Sequence, residues 1–312
     1  MSAMNPEAFG PVPGNQVENK KAHEQLLQVG KINLFLFFIL LLVITCSLIF
    51  EEQMVLGSII LETAILVITL GWIGLQGMDY REILKPKLPG LKKTGVTLII
   101  VTCGIYVASY IDLLFRYILQ NWGKVVPPNL PKTQGLSELL LSLVAIAILP
   151  ALAEEILFRG FILQNYRKIL GNGKAIFISA LLFGMAHLNI QNFWGPFILG
   201  LLCGWLVCLY DSIILACLGH LLNNGLIFTV SYLIPDFGSV RPITGSDLVI
   251  QIPAFVISGI ILFILLLRYN AKIPQKPVKS GKLLTVLCHW STWLLLMTFS
   301  IFAALQFLMM KL

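Results

Sequence analysis

Glu154 and Glu155 stand side by side in an otherwise apolar stretch from Leu139 to Leu163, with Arg159 one helical turn further on. Adjacent carboxylates at membrane depth are costly and are rarely left there without a partner or a task. Two further polar groups follow in apolar sequence: Phe183-Gly184-Met185-Ala186-His187 and His220-Leu221-Leu222-Asn223-Asn224. Acid, imidazole, imidazole and amide are the parts needed to activate a water and to hold an oxyanion.

Helical spacing divides the labour among these residues. Neighbours on a helix point about 100° apart, so Glu154 and Glu155 cannot face one cavity equally. Arg159 is four residues beyond Glu155 and five beyond Glu154, which favours an ion pair with Glu155 and leaves Glu154 for chemistry. Phe183 lies one turn before His187 and is expected to support its ring. His220 and Asn224 share a face of their helix, where an imidazole N–H and an amide N–H suit one oxyanion. Asn223 points elsewhere. The competing reading makes all of these interhelical glue.

Three reaction classes fit such a cluster: a glutamate-based peptidase, a zinc peptidase, and a proton-coupled transporter with Glu and His as a relay. Against zinc, no His-Glu-x-x-His occurs and both histidines stand singly. No Gly-x-Ser-x-Gly elbow points to a serine hydrolase. Inverted repeats and paired broken helices, expected of a transporter, are not evident.

The elements that must position these groups are membrane spans. The chain has 312 residues, 57% hydrophobic and 12% charged, and its mean hydropathy is +0.87. That is an all-α polytopic transmembrane bundle. Apolar runs predict about eight or nine spans, near 32–50, 54–76, 95–119, 139–166, 174–190, 192–210, 212–234, 248–268 and 283–310. The spans give a flexible cytoplasmic tail over 1–31, amino-terminal helices over 32–134, a segment over 135–232 that carries the polar groups above and carboxy-terminal helices over 233–312. The first apolar run begins too late for a cleaved signal peptide. The six cysteines all fall in apolar segments, with neither zinc-site nor disulfide-framework spacing.

Most of the 22 basic residues fall in alternate loops, which puts the amino terminus in the cytoplasm and the Glu51-Glu52 and Pro127-Pro128 turns outside. The net charge of +7 is explained by those loops, so no nucleic-acid partner is expected. At 1.5 Å per residue Glu154, His187 and His220 lie about 21, 20 and 14 Å from the cytoplasmic loops, all deep in a hydrocarbon core about 30 Å thick. Of the other acids, Asp112 and Glu138 read as interfacial, and Glu62 is left without a role.

The pattern Glu-Glu-x-x-x-Arg (Glu154 to Arg159), Phe-x-x-x-His (Phe183 to His187) and His-x-x-x-Asn (His220 to Asn224) resembles the three motifs of the CPBP family. That family holds the CAAX prenyl endopeptidases and the bacterial Abi and bacteriocin-associated membrane proteins. The segment Gly200 to Asn224, with Asp211-Ser212 at a short turn, is similar to its bacterial members, and the resemblance covers about 135–232. It implies a metal-independent intramembrane glutamic endopeptidase that needs no cofactor. Glu154 is then the general base, His187 its partner, and His220 with Asn224 the oxyanion site, with Glu155, Arg159 and Phe183 in support. The implied partners are the lipid bilayer and a peptide or protein with a membrane-anchored end, in the plasma (inner) membrane of a prokaryote. A non-catalytic scaffold or bacteriocin immunity factor is the alternative, with a proton-coupled transporter behind it.

Overall fold

A computed structural model describes residues 13–126, 131, 133, 135–234, 241–274 and 283–311. Among these the secondary structure is helical throughout. We number the nine long helices α1 (Pro13–Ile49), α2 (Met54–Leu75), α3 (Leu91–Leu119), α4 (Leu136–Leu170), α5 (Asn172–Ala186), α6 (Trp194–Tyr210), α7 (Ile213–Leu233), α8 (Gly245–Asn270) and α9 (Trp290–Lys311). Two short helices, Tyr80–Leu84 and Leu283–Leu287, lie in connections. The chain is an integral membrane protein with a polytopic helical bundle. Seven of its described helices are long and apolar enough to cross a membrane; α5 and α6, with 15 and 17 residues, are shorter.

The two short helices take the places of the spans predicted at 174–190 and 192–210. At 1.5 Å per residue they reach only about 22 and 26 Å. What they lose in length they gain in burial. α6 packs among α3, α5 and α7, and α5 lies against α6 and the end of α4. Small residues let these axes close: a Cβ on Gly200 would come 2.9 Å from the Ala180 backbone, and one on Gly104 would meet Leu202. Lipid supplies no hydrophobic drive between helices, so close packing of this kind has to hold them. The outer layer is different. α8 leans on α3 and α9 on α1, and only 11% of the apolar window of each is buried, against 39% for α1. Ile250, Ile257, Phe263 and Trp293 face outward, as lipid-facing side chains do.

The expected flexible stretch through residue 31 does not hold from Pro13 onward. α1 starts there and runs unbroken into the first span. The reason is local: Pro13 suits a first helical position, and the following Glu, Lys, Gln, Ala and Leu are good helix formers. Tertiary contact adds to it, because Val29 is fully buried and the Gln28 amide donates to Asn165 Oδ1 at 3.0 Å. Deeper along α1, Tyr166 O–H donates to Asn33 Oδ1, and Asn33 Nδ2 donates to Thr292 Oγ1 at 2.9 Å, joining α4, α1 and α9. The Pro127-Pro128 turn lies outside the described residues.

α4 is the least regular helix. It turns π-helical over Val144–Ile148 and again over Ile156–Ile162, on either side of the carboxylate pair. Single-turn π segments inside α-helices are frequent at functional sites. Inside a membrane the loosened carbonyls need partners, and neighbouring helices provide them. Ser58 Oγ of α2 donates to Ala145 O (2.8 Å), Asn224 Nδ2 of α7 to Ile146 O (3.0 Å) and Ser179 Oγ of α5 to Phe158 O (3.0 Å). Pro150 has no N–H to return to the carbonyl of Ile146 four residues earlier, so the Asn224 amide fills a place that proline leaves open.

Candidate active site

Three helices bring the polar groups together: α4 with the carboxylates, α5 with His187 at its end, and α7 with His220. Glu155, Arg159 and His220 are almost wholly buried. Glu155 Oε1 lies 2.9 Å from Arg159 Nη1 across one turn, though out of line for a hydrogen bond. The Arg159 guanidinium also sits 4.2 Å over the Phe183 ring. A desolvated cation on an aromatic face is worth about 2 kcal/mol, which partly offsets its unmet donors.

His220 bridges the two acids. Its Nδ1 lies 2.9 Å from Glu155 Oε1, and its Nε2 lies 3.7 Å from Glu154 Oε2. With Glu155 ionised against Arg159, Nδ1–H is the donor to that carboxylate. His220 then offers an N–H at Nε2 only as an imidazolium, held between two carboxylates. Phe183 supports both imidazoles by ring edges, with centroids 5.0 Å from His187 and 5.7 Å from His220.

His187 ends α5. Its Nδ1–H donates to the Phe183 carbonyl at 2.9 Å, which fixes the tautomer and leaves the Nε2 lone pair free. Leu188 follows in the left-handed region at φ 48°, a costly conformation for a branched apolar residue. It turns the chain sharply, so α5 stops at Ala186 rather than near residue 190.

Glu154 and His187 line one cavity of about 220 Å³. Its walls are otherwise apolar, from Leu36, Ile39 and Leu40 of α1 to Leu157 and Phe158 of α4. One more titratable group lines it, Glu62 of α2. The sequence flagged Glu62 as odd, yet nothing in its own neighbourhood pointed to the carboxylates some ninety residues later. Asn224 does not line this cavity. It lies one turn beyond His220, with one amide N–H on Ile146 O and its Oδ1 accepting from Asn223. Asp112, read as interfacial, lies with its Oδ2 close against Gly195 at the start of α6. Among the described residues no three His, Cys, Asp or Glu side chains are grouped to hold a metal ion.

The rotation of α7 is fixed at its basic end. Asp211, in the left-handed region at φ 53°, pairs with Lys85 and Lys87 of the loop after α2. Partial burial alone would push its carboxyl up, but hydrogen bonds from both lysines hold it at about 2. Ser212 Oγ donates to Lys87 O at 2.6 Å. These links anchor the first turn of α7, two turns before His220.

Residues 136–226 match the family described as type II CAAX prenyl endopeptidase Rce1-like. The match contains all three motifs and supports the resemblance drawn from them. No curated protein and no solved structure matches the chain.

Proposed function

We propose that this chain, whose residues 136–226 are those of a CAAX-protease-like membrane protein, is an intramembrane glutamic endopeptidase. Its substrate is a peptide bond near the membrane-anchored end of a CAAX-like or bacteriocin-type chain. The observation that carries this reading is the shared cavity: a carboxylate and an imidazole with a free Nε2 face one largely apolar space.

Glu154 takes a proton from a water held between it and His187 Nε2. The hydroxide attacks the scissile carbonyl carbon, and the carbonyl π pair moves to oxygen. His220, as an imidazolium anchored through Nδ1–H on Glu155, offers Nε2–H to that oxyanion. The second N–H of Asn224, one turn away, is the other candidate donor. Glu155, Arg159 and Phe183 hold His220 in place. Apolar walls exclude bulk water and strengthen each of these interactions. The bias of basic residues toward alternate loops supports an amino terminus on the cytoplasmic side.

The test is cleavage by purified protein in detergent of lipid-anchored peptides, with Glu154→Gln beside wild type and with and without chelator. Glu154→Gln keeps the shape and removes the base, so turnover should fall by about 10²–10⁴-fold. A variant with wild-type turnover refutes Glu154 as the base, and activity lost to chelator restores the zinc alternative.

A further inference from the structure

Glu62 lies outside the segment that matches a family, and the mechanism above leaves it idle. It is 6% exposed, and its Oε2 has no hydrogen-bond partner. It lines the same cavity as Glu154 and His187. Its placement is built rather than incidental. Ser58, one turn earlier on the same face of α2, donates to Ala145 O and so locks α2 against α4 beside the carboxylate pair. Glu62 is thirteen residues from Leu75, about 20 Å by helical rise, the depth reached by Glu154 along α4. Among the described residues, every other group that lines this cavity, apart from Glu154 and His187, is apolar.

A buried carboxylate without a cation is costly; Arg159 is taken by Glu155, and His220 lies between Glu155 and Glu154, so neither pairs with Glu62. A carboxylic acid is the form such a site holds at least cost. Amide hydrolysis needs just such a group, because an amine leaves only as it gains a proton. We propose that Glu62 is the general acid of the reaction, opposite the base Glu154. This rests on the peptidase reading.

The step balances as follows. Glu154 holds the proton taken from water, and the tetrahedral intermediate collapses. The oxyanion pair re-forms C=O, the C–N bond breaks, and its electron pair takes the proton of Glu62. The products are a carboxylic acid and an amine. Glu62 is left ionised and Glu154 protonated, and proton transfer between them through a cavity water resets the pair. Among the described residues, His187 on α5 is the other titratable side chain that lines this space; Glu155 and Arg159 of α4 and His220 of α7 are buried outside the lining, His220 Nε2 lying 3.7 Å from Glu154 Oε2. α1 brings only apolar side chains to it.

The experiment compares leaving groups. One probe is an S-prenylated peptide ending in the CAAX pattern. The other is the same peptide with a thioester at the scissile bond, whose thiolate departs without a proton. Wild type, Glu62→Gln and Glu62→Asp are assayed on both, and Glu154→Gln is the control. Both rates come from one sample, so their ratio does not depend on the fraction of protein folded. For Glu62→Gln the amide rate should fall about 100-fold while the thioester rate changes less than about threefold. Glu62→Asp should show a smaller fall in the same ratio. An amide-to-thioester ratio equal to wild type in both variants overturns the role of Glu62 and leaves the peptidase standing. Wild type inactive on both probes overturns the peptidase reading itself, and with it this acid.

Discussion

The Glu155–Arg159 pair is the part of the site with the largest expected effect on stability. Both side chains are fully buried and their charged atoms are 2.9 Å apart. Glu155→Gln removes the charge and keeps the volume, so it leaves a guanidinium in an apolar interior with the ring faces of Phe183 and, farther off, Phe158 for company. Breaking one side of a buried pair costs about 3–5 kcal/mol, because the surviving charge is uncompensated. At about 2–4 °C per kcal/mol this lowers the unfolding midpoint by about 6–20 °C. The assay is thermal unfolding of purified protein in one detergent, with Glu154→Gln as reference. Glu154 is partly exposed to the cavity, and its nearest partner, His220 Nε2, is 3.7 Å away rather than in close contact, so its variant should unfold within a few degrees of wild type. The double variant Glu155→Gln with Arg159→Met should regain much of the loss, since it removes both charges together. If Glu155→Gln unfolds within about 2 °C of Glu154→Gln, the division of roles between the two acids is wrong.

Asn224→Ala should cost about 1–3 kcal/mol, from the orphaned Ile146 carbonyl, and about 10²–10³-fold in turnover if the amide holds the oxyanion. Adding Pro150→Ala returns a helical N–H to that carbonyl. Stability should then recover while turnover stays low; recovery of both would reduce Asn224 to glue. Asp211 gives a pH test. Its carboxyl is depressed in the folded state, so its contribution is present above the ordinary 3.8 and is lost as pH falls through about 2. The stability gap between wild type and Asp211→Asn should be constant near neutrality and close below about pH 4, followed by unfolding midpoints across pH. A gap that persists unchanged to pH 2 rules the lysine clamp out as its source.

The membrane class, most helix positions and the pairs within helices were legible in the sequence. Hydropathy is a property of a local window, and the contact between residues four apart follows from the helical period. Glu155 with Arg159 and Phe183 with His187 are such pairs. The length of the described spans at α5 and α6 was less legible, because His187 and Leu188 end α5 by backbone geometry that hydropathy does not register. The start of α1 was misread, since a polar stretch looks the same whether it is free or docked through Gln28 and Val29.

Relations between helices belonged to the tertiary structure. Rotation of one helix against another is set by packing and by side-chain bonds to loosened carbonyls, and neither leaves a periodic trace. So only the fold decided that Glu62 of α2 shares a cavity with Glu154 and His187 of α4 and α5. Only the fold gave one N–H of Asn224 to the carbonyl that Pro150 leaves open. The sequence by itself determined which groups of this protein could do chemistry and at what depth. Which of them face one another was decided by helices meeting at distances of a hydrogen bond, a range over which sequence separation carries no information.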